Sequence, residues 1–102
     1  MKAKTIKQVL EAILWMYENT LEWTQRAAWR NKKGAVVYGL NSDIHSACLL
    51  GAIILVKKED VLGSSVSSYL NGLVNDTVAS WNDRDGRTKQ EVIALLKKAI
   101  NS

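Results

Sequence analysis

Apolar and polar positions alternate with a helical period over most of this chain. Ile6, Val9, Leu10, Ile13, Leu14 and Tyr17 form one stripe, with Lys7, Gln8, Glu11, Glu18 and Asn19 mostly off it. That spacing predicts a helix over Thr5–Leu21. Trp15 and Met16 widen the apolar arc, so the helix is expected to meet more than one neighbour. Leu21–Arg30 either extends this helix or starts a short second one, with Glu22 and Arg26 in the favourable acid-first order. Asn31-Lys32-Lys33-Gly34 is a turn signal, and Ala35–Leu40 reads as an extended loop with a β-leaning composition.

A second helix is expected over Asp43–Val56. Asn41, Ser42 and Asp43 offer N-caps, and Lys57 and Lys58 suit its C-terminal end. Its Ala47–Val56 segment is apolar on every face, so it is placed at the centre of the fold with Leu50 and Ile54 in the core. The β-branched run Ile53–Val56 leaves a buried strand as the alternative, and length favours the helix. Glu59–Leu62 is a short connection or single turn. From Ser64 the stripe returns through Val66, Tyr69, Leu70, Leu73, Val74, Val78 and Trp81, on a helix whose polar face is made of weak helix formers. Asn82–Arg87 is a loop turning at Asp85-Gly86. Thr88 and Glu91 form a capping box for a last helix carrying Val92, Leu95, Leu96, Ala99 and Ile100. The expectation is an all-α fold. It is a compact single-domain bundle of about four helices over 1–102, with one long irregular connection between the first two.

Composition narrows the picture without naming a substrate. A chain of 102 residues with 47% hydrophobic and 24% charged residues is an ordinary globular domain. The absence of Pro and Phe leaves four Trp and three Tyr to supply the aromatic core volume. A net charge of +4 permits an anionic partner but is too diffuse for a dedicated nucleic-acid domain. The single cysteine, Cys48, excludes an internal disulfide and suits a reducing cytoplasm. Glu11 interrupts the first apolar stretch, which reads against a signal peptide. The longest apolar run is half the length of a membrane span. A cytoplasmic protein with no membrane contact is expected, and association of copies is left open.

Three groupings could carry chemistry. Trp81-Asn82-Asp83-Arg84-Asp85-Gly86-Arg87-Thr88 brings Asx acceptors and two arginine forks to a helix N-terminus, where an anion is welcome. The competing view is that Asn82 and Asp83 turn the backbone while Arg84 and Arg87 are solvated. Arg26, Arg30, Lys32 and Lys33 have no acid among them and lie near Trp23, Trp29 and Tyr38, an arrangement that can stack a base and hold its phosphate. The competing view is a solvated surface, with the aromatics pinning an irregular loop. His45 and Cys48 stand three apart on the expected second helix. One His and one Cys fall short of a zinc set, and a cysteine inside an apolar run is inert, so no metal, cofactor or catalytic residue is assigned. No glycine-rich phosphate loop is present.

The segments Trp23-Thr24-Gln25, Ala28-Trp29-Arg30-Asn31-Lys32-Lys33-Gly34, Cys48-Leu49-Leu50-Gly51-Ala52, Trp81-Asn82-Asp83 and Arg87-Thr88 with Glu91-Val92 carry a resemblance. Together they resemble a family of small bacterial and bacteriophage proteins classed only as a domain of unknown function, over residues 9 to 100. Three positions depart from its pattern: Arg26 stands where Gly is usual, Asn31 where an acid is usual, and Ile53 where Leu is common. The resemblance implies a bacterial or phage origin and transfers no activity. The functional expectation is a non-enzymatic binding protein that sequesters an anionic, nucleotide-type small molecule or blocks a host protein. Its ligand face would comprise Trp23, Gln25, Arg26, Trp29, Arg30, Trp81, Asn82, Asp83, Arg84 and Arg87. The alternatives are a small enzyme using His45 with Asp43 or Asp83, and a DNA-binding regulator. The latter is disfavoured because no helix carries a basic, Asn/Gln-rich recognition face.

Overall fold

The computed structural model describes residues 5–39, 43–57 and 61–102. Its first helix, α1 (Ile6–Asn19), starts where Thr5 Oγ1 accepts from the Gln8 amide at 3.1 Å. Val9, Leu10, Ile13 and Tyr17 on its stripe are buried. It stops where the Thr20 and Leu21 amides both donate to the Met16 carbonyl, at 2.8 and 2.7 Å. Met16 packs at the core margin, but Trp15 is 58% exposed, so the widened arc does not gain a second neighbour through Trp15.

The segment after α1 is not helical. Glu22–Trp23 is a strand, β1, and Trp29–Arg30 is a second, β2. Ser46–Ala47 is β3, lying between them in the order β1-β3-β2. β1 runs parallel to β3 with Glu22 opposite Ser46, and β2 runs antiparallel with Trp29 opposite Ala47. The fold is therefore mostly helical with a small sheet, which corrects the all-α expectation. The central strand is built from small, buried residues, and its Ala47 carbonyl accepts from the buried Tyr17 hydroxyl at 2.8 Å. Beyond β2 the chain turns through Gly34 (φ +87°) and comes back along it, with Val36 opposite Arg30. Asn31 Oδ1 accepts the Lys33 and Ala35 amides at 3.0 and 3.1 Å and so shapes that turn. Tyr38 is 88% exposed and pins nothing. Of the expected Ala35–Leu40 loop, Leu40 lies outside the described residues.

The strand displaces the start of the second helix. α2 spans Leu49–Lys57, not Asp43–Val56, and Asp43 is exposed. The expected caps Asn41 and Ser42 lie outside the described residues. Leu49, Ala52 and Ile53 are buried, whereas Leu50 and Ile54 are half-buried, so the core face is phased one position earlier than expected. The phase follows from Gly51, whose bare Cα must lie against the Ala28 backbone. α2 packs on α1, and on the third helix, α3, which spans Val61–Val74.

The expected Ser64–Trp81 helix is two helices. α3 ends at Asn75, which takes a left-handed φ of +55°, and α4 covers Val78–Asn82. Asn71 Oδ1 accepts the Val78 amide at 2.7 Å, and Thr77 caps α4 by accepting the Ser80 amide at 3.2 Å. Asn, Asp and Thr side chains thus take over the backbone groups that a continuous helix would have used. The last helix, α5 (Lys89–Ile100), begins at the expected capping box, with Thr88 and Glu91 bonded reciprocally. α5 lies on α1. Val9, Ile13, Ala47, Ile53, Val66, Leu70, Val92 and Leu96 meet in one core. Among the described residues no helix is long and apolar enough to cross a membrane.

Candidate functional site

The two segments singled out in the sequence, 23–30 and 81–87, lie against each other. Asn82 is the junction. It ends α4, is fully buried, and uses every polar atom of its amide. Its Oδ1 accepts from Trp23 Nε1 at 2.6 Å and from the Leu49 amide at 3.0 Å. Its Nδ2 donates to the Thr24 carbonyl at 3.1 Å and to Asp83 Oδ1 at 3.0 Å. One amide therefore joins β1, the start of α2 and the end of α4. A buried amide is tolerated only when its bonds are made.

Gln25 and Arg26 extend the junction outward. Gln25 Nε2 donates to the Asn82 and Arg84 carbonyls at 3.0 and 2.9 Å. The Arg26 amide donates to Asp83 Oδ1 at 2.9 Å, and its guanidinium reaches Asp85 Oδ1 at 2.7 Å. Arg26 has φ +64°, the left-handed region that glycine enters freely and other residues rarely adopt. The tight turn survives the Arg. Asn31 shapes the next turn through its own amide oxygen.

Arg30 and Arg87 are committed to the fold. Arg30 Nε donates to Thr24 Oγ1 at 2.9 Å, and its two terminal nitrogens donate to the Gly34 and Gln25 carbonyls at 3.1 and 3.2 Å. Arg87 Nε donates to the Trp81 carbonyl at 3.0 Å while its Cζ stands 3.9 Å over the Trp81 ring. Arg87 also pairs with Glu91 at 3.0 Å. Trp29 Nε1 donates to the Gly51 carbonyl at 3.1 Å. Trp23, Gln25, Trp29, Arg30, Trp81, Asn82 and Arg87 therefore close a clasp. What the clasp presents outward is charge: Arg26 is 60% exposed, Asp85 is 95% exposed, and Arg84, Lys32 and Lys33 are exposed.

Cys48 and His45 do not share a helix face. His45 precedes β3 and is exposed; its backbone accepts the Glu22 amide and donates to the Arg30 carbonyl, at 3.1 and 2.8 Å. Cys48 is buried ahead of α2, and its Sγ accepts the Gly51 amide at 3.3 Å. Burial pushes the thiol up from its ordinary range; backbone donors of Gly51 and Leu50 oppose this in part, and the Asp83 charge adds to it. Among the described residues no group of three or more His, Cys, Asp or Glu is placed to hold a metal ion.

Sequence reasoning missed Thr24, Leu49 and Gly51 as members of this junction. Leu49 acts through its backbone amide, and Thr24 through its carbonyl as well as the hydroxyl that accepts from Arg30; backbone groups leave no side-chain signature. Gly51 had a signal in its position within an apolar helix: a Cβ there would lie 2.3 Å from the Ala28 carbonyl oxygen. Among the described residues, hollows lie away from the clasp. One, of about 670 Å³, lies on the outer side of α1 against Glu11, Ala12, Trp15 and Met16. Another, of about 210 Å³, lies among Ile6, Leu10, Tyr69 and Ile100. Neither is lined by a clasp residue.

Comparison with curated proteins and with solved structures gave no match for this chain. A family model matches all of it, and the chain belongs, over residues 1–102, to the family of unknown function DUF6197.

Proposed function

We propose that this chain is a non-enzymatic binding protein that recognises an anionic partner on the face where 23–38 meets 81–88. The observation that supports this reading is the division of labour among the cations. Arg30 and Arg87 are held by carbonyls and by Glu91, while Arg84, Lys32 and Lys33 stay exposed around the clasp, as does Arg26 in its surface pair with Asp85. A framework whose polar groups are already satisfied fixes the backbone that carries those charges, and a preorganised backbone loses less on binding.

Within that reading, an acidic protein surface suits the geometry better than a nucleotide. Gln25, Asn82, Arg30 and both indole N–H groups of Trp23 and Trp29 are already bonded within the chain. A base and its phosphate would have to compete for them. The exposed Tyr38 adds an aromatic of the kind enriched at protein interfaces. A bacterial or phage protein acting in a reducing cytoplasm, by blocking a host protein, fits this picture, and the free, buried Cys48 thiol is compatible with it.

The test is a calorimetric screen of the purified chain against nucleotides, cyclic dinucleotides, NAD-derived signals and acidic peptides. An anionic ligand should bind, and Arg26→Ala, Arg84→Ala and Lys33→Ala should each weaken it about tenfold without lowering thermal stability. Arg30→Ala should instead destabilise the fold. A ligand indifferent to all the exposed cations would move recognition elsewhere on the molecule.

A further inference from the structure

Resting on that reading, we propose that residues 35–38 form an open sheet edge that takes up an extended acidic segment of a protein partner as an added strand. The hydrogen bonds of the turn set the direction of this edge. Val37 N donates to the Trp29 carbonyl at 3.1 Å, and Asn31 N donates to the Ala35 carbonyl at 2.9 Å. These flank the antiparallel pair Arg30 and Val36, so Val36 is in a non-hydrogen-bonded position toward β2. Its own N–H and C=O therefore point away from the sheet. Among the described residues neither group meets a backbone partner. On the other side of β2 the Arg30 carbonyl accepts the His45 amide, so that side is closed by β3. On the β2 side of the sheet the open edge is therefore the one beyond Val36.

The side chains along the edge fit a partner strand. Val36 is 38% exposed and Tyr38, two positions on, is 88% exposed. Added-strand recognition draws affinity from main-chain bonds and specificity from alternate side chains. Lys32 and Lys33 stand exposed at the adjoining turn, with no acid between Trp29 and Gly39. Charge selects the occupant. Lysines at an exposed edge discourage pairing with a second copy, which brings the same charges, and they attract a strand rich in Glu or Asp.

The probe is a blocked hexapeptide of alternating glutamate and valine, with its lysine–valine counterpart as control. Titration is followed by fluorescence anisotropy and by exchange of the Val36 amide in the wild-type chain. The glutamate peptide should bind, weaken with added salt, and slow exchange at Val36. Val36→Pro removes the outward donor but none of the bonds within the turn, and proline is tolerated at an edge, so circular dichroism should be unchanged. Binding should fall about tenfold in Val36→Pro and again when Lys32 and Lys33 are both changed to Glu. If Val36→Pro fails to fold, the exchange measurement on the wild type decides alone. The proposal is overturned if the peptide leaves Val36 exchange unchanged, or if the lysine peptide binds as well. It is also overturned if sedimentation shows a dimer that Val36→Pro dissolves. Binding that survives Val36→Pro but falls with Arg26→Ala and Arg84→Ala removes the edge and keeps the broader reading. Binding indifferent to every cation removes both.

Discussion

Gly51 and Gly72 are both helical glycines, and the same change to Ala should move stability in opposite directions. In an open helix Gly→Ala gains up to about 1 kcal/mol, because Ala loses less backbone entropy. Gly72 in α3 is exposed, and nothing lies within 4 Å of where its Cβ would stand. Gly72→Ala should therefore stabilise by about 0.5 kcal/mol, the lower figure because the site is near the end of α3. At Gly51 the added carbon would lie 2.3 Å from the Ala28 oxygen, 3.0 Å from the Ala28 carbon and 3.1 Å from Trp29 Nε1. The obstacle is backbone, which cannot rotate away. That same Ala28 oxygen accepts the Cys48 amide at 3.0 Å, and Trp29 Nε1 donates to the Gly51 carbonyl at 3.1 Å. Overpacking is worth about 1–3 kcal/mol, and weakening of these bonds adds about 1 kcal/mol. Set against a propensity gain of about 0.5 kcal/mol, since Gly51 is likewise near a helix end, the net loss for Gly51→Ala is about 1.5–3.5 kcal/mol. Tryptophan fluorescence in a urea titration reads both variants on one scale. Equal shifts in the midpoints, or a stabilised Gly51→Ala, would show that α2 does not lie against Ala28.

Arg26→Gly should stabilise by about 0.5–1 kcal/mol in the same titration, since relief at φ +64° outweighs an ion pair with both partners largely exposed, while lowering affinity in the anion screen. Thr88→Ala should lose about 1 kcal/mol by thermal melting, because the Glu91 amide loses its acceptor. Desolvation pushes the Glu91 carboxyl up, but the Thr88 amide and hydroxyl and the Arg87 guanidinium together outweigh it, so it lies below its ordinary range. Its contribution to stability is then full at neutral pH and is lost as pH falls through the folded value; Glu91→Gln should flatten that part of an acid melting series. Cys48 should resist alkylation in the folded chain at neutral pH and react only on unfolding, as burial raises its thiol; rapid labelling of the native protein would contradict its placement.

The first and last helices were legible, one from a stripe that runs for several turns and the other from an explicit cap. α1 and α5 follow Thr5 and Thr88 as read, and Asp85-Gly86 turns with Gly86 at φ +84°. The strands were not legible, because a strand of two residues shows no alternation. Ser46-Ala47 adjoins the apolar run that follows it, so periodicity alone assigns it to the helix; its pairing with β1 and β2 starts α2 at Leu49 instead. The α3–α4 break depends on Asn71 reaching the Val78 amide, a contact that a continuous Val74–Val78–Trp81 stripe conceals. The contact between the two segments was legible, because Trp23, Gln25, Asn82, Asp83 and Arg87 are residue types that bond. Their partners were not, since Asn82 and Gln25 bond mainly to backbone groups and to one indole.

If Trp23 and Asn82 close one clasp between segments 59 positions apart, their energies must be coupled. A double-mutant cycle of Trp23→Phe and Asn82→Ala, read by urea denaturation, measures that coupling apart from the separate losses of ring volume and of the Leu49 contact. The bond is 2.6 Å long and its acceptor is buried, so a coupling of about 1–2 kcal/mol is expected. Additive losses, with a coupling under about 0.3 kcal/mol, would mean that the two side chains do not hold each other and that the clasp is not what joins the segments.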